Sequence, residues 1–301
     1  MRVEVSGLSK AFGSLFALRD VGFSLPSGRR TALVGPNGSG KSTLNRVVMG
    51  LLAFEGEVRI DGFSARDERL EIARRMAYVP QIAPALAVPA GELVRALVSV
   101  RGGDPARVAE ISSRLGLRLG AIASKPFRSL SGGMKQKLLI ALALAADASL
   151  LILDEPTGSL DARTREAFFP LFDELAKDAT VILCSHRLEE VRHLVDHVLL
   201  LDEGRLIYDG EAAPLLDASL SSVIEVRAQG ESASSWLGEH GFRRGSGDWW
   251  VRAASTQEKL ALLPELARAL DGAIRDFSVR ELDSLELAAR SAPRAEDPNG
   301  R

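Results

Sequence analysis

Gly35-Pro36-Asn37-Gly38-Ser39-Gly40-Lys41-Ser42 follows the apolar run Thr31-Ala32-Leu33-Val34 and precedes Thr43-Leu44-Asn45-Arg46-Val47-Val48-Met49. The first run reads as a buried strand and the last as a helix, so the glycine-rich stretch is a strand-to-helix turn. Glycines at 35, 38 and 40 let the backbone curl until successive N–H groups point inward. The positive end of the following helix faces the same point. Lys41 would reach the β- and γ-phosphates of a bound nucleotide, and the Ser42 hydroxyl would complete the coordination of Mg²⁺. A plain glycine-rich turn is the alternative, and it is disfavoured by the glycines, lysine and serine all standing in this context.

The 301 residues suffice for one large domain and a small one. Hydrophobic content of 46% and charged content of 26% are ordinary for a soluble globular protein. A formal net charge of −2 argues against a broadly basic surface, and no nucleic-acid partner is expected. The single cysteine, Cys184, excludes an intramolecular disulfide and a multi-cysteine zinc site and fits a reducing cytoplasm. Met1-Arg2-Val3-Glu4-Val5 alternates like a strand and has no signal-peptide core. The longest apolar stretch, 138–153, is broken by Asp147 and Ser149 and is too short to span a bilayer. Any membrane role is expected to come through a partner.

Two further apolar runs, 150–153 and 180–184, resemble the run at 31–34 in being short and lacking alternation. That is the pattern of strands buried on both faces of a parallel sheet. The first of the three runs ends in the phosphate loop, the second in Asp154-Glu155 and the third in Ser185-His186. Ligand sites in open α/β sheets gather beyond the carboxyl ends of the strands. Lysine, hydroxyl, two carboxylates and an imidazole are thus expected in one crevice, a layout for phosphoryl transfer to water. Asp154 would bind Mg²⁺ through its water shell. Glu155, one residue on, suits orienting and polarising the attacking water. His186 can donate to the γ-phosphate while contacting that carboxylate. Taken alone, the acidic pair would read as a solvated turn and the histidine as structural. Their place after buried strands and downstream of a phosphate loop favours the functional reading.

Leu130-Ser131-Gly132-Gly133-Met134-Lys135-Gln136 supplies a second anion-binding helix start, ahead of a run of strong helix formers. By itself it is equally a well-capped helix. With it, residues 1–215 resemble the nucleotide-binding subunit of an ATP-binding-cassette (ABC) transporter. Phe12-Gly13 sits where that family places an aromatic that stacks on adenine. Gly35 to Thr43 resembles the Walker A loop. Gln81, in Tyr78-Val79-Pro80-Gln81, matches the glutamine that senses Mg²⁺ and faces the membrane partner. Ser131 to Gln136 matches the signature, Leu150 to Glu155 the Walker B strand, Ser159-Leu160-Asp161 the D-loop, and His186 the switch histidine. Position 12 is Phe where Tyr is usual, which keeps a ring for stacking worth roughly 1–3 kcal/mol per base. The D-loop reads Gly158-Ser159-Leu160-Asp161 rather than Ser-Gly-Leu-Asp, which leaves Asp161 in place.

The resemblance implies an α/β P-loop NTPase cassette: a RecA-like parallel core sheet, an N-terminal antiparallel β part and a helical subdomain at about 82–148. It also implies a head-to-tail pair of cassettes. Ser131, Gly132 and Gly133 of one protomer would close on the ATP held by Lys41 of the other, with Asp161 communicating across the dimer. In the helical subdomain, helices are expected at 90–100 and 105–115, after proline-marked breaks at 84 and 89. Apolar residues near 82–88 are either a surface for the membrane subunit or local core.

After Gly210-Glu211 the pattern changes. Strands are read at 223–227 and 274–279, helices at 232–240 and 256–270, and a hairpin from 242–244 across Gly245-Ser246-Gly247 to 248–252. Strand-helix-strand-strand-helix-strand is the ferredoxin-like order, so 220–290 is expected to be a small α+β domain. Residues 291–301 are expected to be a loose tail. The chain is therefore read as a cytoplasmic ATPase subunit, peripheral on the inner face of the cell membrane. It would form a homodimer and drive export through separate integral membrane permeases. The alternative is a soluble cassette ATPase acting on ribosomes or nucleic acid.

Overall fold

The computed structural model describes residues 1–213, 216, 220–244 and 248–281. The expected tail at 291–301, part of the linker before residue 220 and the hairpin tip at 245–247 lie outside the described residues. The chain divides into two compact units, Met1–Ser185 with His193–Gly210, and His186–Arg192 with Glu211–Arg301.

The first unit opens with β1 (Val3–Phe12), β2 (Leu15–Leu25) and β3 (Arg30–Val34), followed by α1 (Lys41–Val48). Next come β4 (Glu55–Ile60), β5 (Phe63–Ser64), α2 (Arg69–Arg75) and β6 (Met76–Val79). Three helices follow, α3 (Ala90–Val100), α4 (Pro105–Arg114) and α5 (Gly132–Leu144). The core is completed by β7 (Leu150–Asp154), α6 (Ala162–Leu175) and β8 (Thr180–Cys184). After α7 (Leu188–Leu194) the chain returns through β9 (His197–Asp202) and β10 (Arg205–Glu211).

An antiparallel sheet has the order β2-β1-β4-β5, and a six-stranded sheet the order β10-β9-β3-β8-β7-β6. In the latter, β3 pairs parallel with β8 and β9, and β7 with β6 and β8. The lack of alternation in 150–153 and 180–184 has a direct cause. Leu151, Leu153, Val181 and Leu183 join the core built with α3 to α6. Leu150, Ile152, Ile182 and Cys184 join the core built with β1, β2, β4 and α1. A strand apolar on both faces shows no period of two.

Helix starts follow their caps. The Asp104 side chain accepts from the Ala106 N–H ahead of Pro105, and α4 begins there. The Ser131 side chain accepts from Met134 N–H, which starts α5 at Gly132, ahead of the helix formers at 135–146. No described helix is long and apolar enough to cross a membrane.

In the second unit, β11 (Leu220–Ala228), α8 (Glu231–Glu239), β12 (Arg243–Arg244), β13 (Trp249–Ser255), α9 (Thr256–Ala269) and β14 (Ile274–Glu281) follow in turn. The sheet order is β12-β13-β11-β14, every pair antiparallel, which is the ferredoxin-like arrangement expected. Ile224, Val226 and Ala254 on the sheet meet Ala233 and Leu237 of α8 and Leu262 and Leu266 of α9. Ser255 and Glu258 close a reciprocal capping box that starts α9. Trp250 packs on this core, while the Arg227 guanidinium lies over the Trp249 ring at 5.5 Å.

Phe168 of α6 is fully buried, with Phe172 at 5.5 Å and Phe169 at 6.0 Å between ring centroids. Phe168→Ala should lower unfolding free energy by about 3–5 kcal/mol, read from a denaturant midpoint at unchanged m. A loss under about 1 kcal/mol would mean that this cluster is not the packed core of the helical face.

Candidate functional site

The loop between β3 and α1 is shaped by glycines at close backbone approaches. Gly35 has φ of +149°, and a Cβ there would lie 2.1 Å from the Leu201 carbonyl oxygen. Gly40, at φ +108°, would place a Cβ 2.5 Å from the Ala17 carbonyl oxygen. The loop is thus clasped between the ends of β9 and β2, where only glycine fits. Gly40 caps α1 without a side chain, so no side chain competes for the first-turn N–H groups of Lys41, Ser42 and Thr43. Asn37, Gly38 and Ser42 are exposed, Pro36 and Thr43 half-buried, and Ser39 buried. The Lys41 ammonium folds back over the loop, donating to the carbonyls of Gly35 at 2.5 Å and Pro36 at 3.0 Å.

The carboxylates stand two strands away in the same sheet. Asp154 is in register with Cys184 of β8, and the Glu155 N–H donates to the Cys184 carbonyl at 2.8 Å. Glu155 then turns the chain with φ of +48°, a left-handed conformation that costs a non-glycine residue roughly 1–2 kcal/mol. Strain of this kind gathers at functional positions. Burial raises the Asp154 carboxyl above its ordinary value and the Glu155 charge adds to this, while Lys41 and Arg46 oppose it. Tyr78 of β6 belongs to the same field. Burial first, then Asp154 and Cys184, push its phenol up to about 12, against the opposing charge of Arg46. Gln81, three residues on, is exposed.

The start of α5 is braced against the segment that follows β7. The Gln136 side-chain amide, buried, donates to the Pro156 carbonyl at 3.0 Å. A Cβ on Gly133 would come within 3.0 Å of the Ser159 carbonyl oxygen, and one on Gly132 within 3.9 Å of the Ser159 hydroxyl. Lys137 pairs with Asp161 at 3.3 Å. Asp161 also caps α6, accepting from the Thr164 N–H at 2.8 Å and its hydroxyl at 2.9 Å. Those two bonds first, and Lys137 last, hold its carboxyl at about 2. Ser131 itself is exposed. Gln136 and Lys137 had no role of their own in the sequence reading; a lone amide at a buried position of an apolar helix is the signal that marks Gln136.

Phe12 ends β1 as a 48% exposed residue, with the Lys10 ammonium 5.0 Å from its ring centroid. Its hairpin is the one that supplies Ala17 to the loop. His186 is exposed, follows β8 by two residues and opens the His186–Arg192 segment of the second unit. Lys41, Asp154 and Glu155 are thus brought into one electrostatic neighbourhood, Ser131 to Gly133 and Asp161 into a second, and both lie in the first unit.

The family model described as ABC transporter matches residues 18–158. An ATP-dependent lipid A-core flippase of Vibrio vulnificus (strain YJ016) is 35% identical over 211 residues, covering 67% of this chain and 36% of that protein. The chain therefore spans about a third of the length of that relative. The uncharacterized ABC transporter ATP-binding protein YdbJ of Bacillus subtilis (strain 168) is 32% identical, covering 90% of this chain and 87% of that protein. The nickel import ATP-binding protein NikO of Rhodobacter capsulatus is 35% identical, covering 71% of this chain and 90% of that protein. Among solved structures, the dimeric post-hydrolysis state of the ATP-binding cassette MJ0796 bound to ADP and Pi superimposes with a TM-score of 0.63 at 27% identity. That match covers 69% of this chain and 98% of that one.

The raised Asp154 carboxyl has a thermodynamic consequence. A carboxyl whose folded value lies above its unfolded value, about 3.9, stabilises the fold fully below that pH and loses the contribution as pH rises through the folded value. At neutral pH the ionised Asp154 therefore opposes folding of the ligand-free protein. Asp154→Asn should raise the ligand-free Tm at pH 7.5 by about 2–4 °C at most, the shift of ~1 kcal/mol in a unit of this size. The gain should shrink as pH falls through the raised folded value and be gone below about 4. Calorimetry across that range checks it; a Tm lowered at pH 7.5 would contradict the electrostatic picture.

Proposed function

The chain belongs to the ABC transporter family, and from that premise we propose that it hydrolyses ATP to drive export through separate membrane subunits. The observation that carries this reading is the pair Asp154-Glu155 at the end of a strand buried on both faces, inside the field of Lys41 of the glycine loop. The triphosphate lies along the backbone N–H groups of residues 38–43, and Lys41 exchanges the Gly35 and Pro36 carbonyls for phosphate oxygens. Phe12 stacks on the adenine. Mg²⁺ suits the donors present, since Ser42, Gln81 and Asp154 are hard oxygen ligands and a half-dry carboxylate is relieved by a nearby cation. Held there, Mg²⁺ would supply positive charge to offset that of the β- and γ-phosphates. Glu155 orients a water in line with the γ-phosphorus and accepts its proton. Water oxygen bonds to phosphorus as the bond to the ADP oxygen breaks, giving ADP and phosphate, while His186 donates to the γ-phosphate oxygens.

Two copies pair head to tail, so that Ser131, Gly132 and Gly133 at the start of α5 meet the nucleotide on the Lys41 of the partner, and Asp161 lies near the seam. In this reading the cassette is 1–215 with a helical subdomain at 82–148, and 220–290 stands apart from the chemistry. Ile82, Leu86, Val88, Leu97 and Val100 of the helical subdomain are exposed. They form the apolar face that docks the integral membrane subunits and holds this chain on the inner face of the cell membrane. Export is favoured by the likeness to a flippase, against which the nickel import protein stands as the opposite direction.

Glu155→Gln should bind ATP and Mg²⁺ yet hydrolyse ATP slower by about two to four powers of ten. It should also accumulate as an ATP-bound dimer, visible by light scattering. Turnover within a few fold of the parent removes the water-activating role. A second experiment addresses the shared site. Lys41→Ala and Ser131→Arg should each fail to associate on nucleotide alone, but mixed together they should recover association, because one site of the heterodimer keeps both residues. Absence of recovery in a mixture shown to form heterodimers would mean that each site is complete within one chain.

A further inference from the structure

The sheet of the second unit ends on a long outer strand. In the order β12-β13-β11-β14, β12 is a two-residue edge, whereas β14 runs Ile274–Glu281 with β11 as its one neighbour among the described strands. Half of its backbone N–H and C=O groups therefore turn away from the sheet. Such an edge is a template for a further strand unless something blunts it, and β14 holds no proline. Register with β11 places Val279 opposite Ile224 and Phe277 opposite Val226, on the face that α8 and α9 cover. Ile224 and Val226 are fully buried and Val279 packs on the core, yet Phe277 is 56% exposed. Phe277 is thus an apolar residue at the rim of a core that stops short of covering it.

The residues of this edge are complementary to themselves. Arg275-Asp276-Phe277-Ser278-Val279-Arg280-Glu281 carries opposite charges at positions symmetric about Ser278. An identical strand laid antiparallel, with a twofold axis through Ser278 perpendicular to the sheet, sets Asp276 opposite Arg280 and Phe277 opposite Val279, in both directions. Each pair then shares a face, so the helix-covered face continues across the seam. The register with β11 shifts between Asp276 and Ile274, so the regular part of the edge is centred on these five residues. Arg275 and Glu281 repeat the opposition of signs at its margins. Moving the axis to Phe277 or Val279 sets Asp276 or Arg280 against Ser278 and loses both charge pairs. Charges alone would also keep an edge solvated, but that use needs no particular order of signs. Nor is Asp276 firmly held elsewhere: it meets the Arg227 guanidinium at a loose 3.7 Å, with about half of each side chain exposed.

We propose that β14 is an interface between two copies of this chain, joining their four-stranded sheets β14 to β14 with Ser278 on the twofold axis. Backbone hydrogen bonds supply the attraction, as in any strand addition to a sheet edge. Phe277 of each copy lies against Val279 of the other, and the two pairs of Asp276 with Arg280 fix the register. The contact rests on the second unit alone and needs no nucleotide. It therefore stands or falls separately from the head-to-tail pairing proposed for the ATP site.

The test uses the full chain without nucleotide. Sedimentation at about 0.1 mM should show a dimer of twice 32.3 kDa, the modest affinity expected of an interface at the small end of the range. Ser278→Cys should cross-link under mild oxidation, because Cα atoms directly opposite in an antiparallel pair lie about 4.5–5.5 Å apart, within disulfide reach. Asp276→Cys should cross-link at least about tenfold more slowly, since positions 276 of the two copies are four residues out of register, roughly 14 Å apart. The natural Cys184 is buried and does not compete. Asp276→Arg and Arg280→Asp should each weaken association about tenfold or more by setting like charges opposite each other. Mixed together, the two variants should associate again, because each pair in the mixed dimer then holds one acid and one base. Lys41→Ala should leave the nucleotide-free dimer unchanged. A monomer at that concentration, equal cross-linking at 278 and 276, or full association by either charge variant alone would each overturn the proposal. So would failure of the mixture to recover, or loss of the dimer in Lys41→Ala.

Discussion

Parallel pairing of β3 and β7 on either side of β8 is the constraint on which the first unit depends. Leu33 and Asp154 both stand in register with Cys184, so the three strands run out at the same level. Hydrogen bonds set that register, and burial on both faces locks it, because a slip of one residue would exchange the leucines of the helical face with those of the β face. The charged groups can therefore be carried by short segments beyond the strands without any of them stabilising the fold. Asp154, indeed, opposes it at neutral pH, and Glu155 adds backbone strain. A site that is unfavourable for the empty protein is one that a triphosphate and a dication can relieve.

The second constraint is the brace between α5 and the segment 156–161. Gln136, Gly133 and Lys137 fasten three successive points of that segment, at Pro156, Ser159 and Asp161. The segment directly follows Glu155. If Ser131 reads the nucleotide of a second copy, a push on Ser131 is delivered toward Glu155, the residue proposed to activate water in its own chain. Such coupling needs no long pathway, only a buried amide and a glycine at van der Waals contact.

Much of this was legible in the sequence because the signals are local. The glycine loop, the strand-end acids and the cap at Ser131 are each set within a few residues, and the structure finds them there. The edge strands of the six-stranded sheet were not seen. Met76-Ala77-Tyr78-Val79 is short and carries a polar ring, and β10 is half-exposed along most of its length, so neither shows a clear period. Tyr78 entered the Asp154 field only through the β6–β7 pairing, a contact between residues far apart in the chain. Nor could the left-handed turn at Glu155 be read, since glutamate carries no preference for it.

The glycines divide into two physical kinds, and the division explains why the two helix starts of the first unit behave differently. Gly35 and Gly40 have positive φ and meet backbone oxygens at distances no Cβ tolerates, so the phosphate loop is held by its own scaffold before any ligand arrives. Its anion site is therefore preorganised, and binding there need not order the chain. Gly132 and Gly133 lack positive φ; Gly133 is restricted only by Ser159, and Ser131 stands exposed ahead of them. That start is capped by its own serine hydroxyl, so an incoming phosphate must compete with the Ser131 to Met134 bond. A prebuilt site and a self-capped one are suited to sequential use, with nucleotide held first on the loop and the α5 start engaged only when a second surface brings it close.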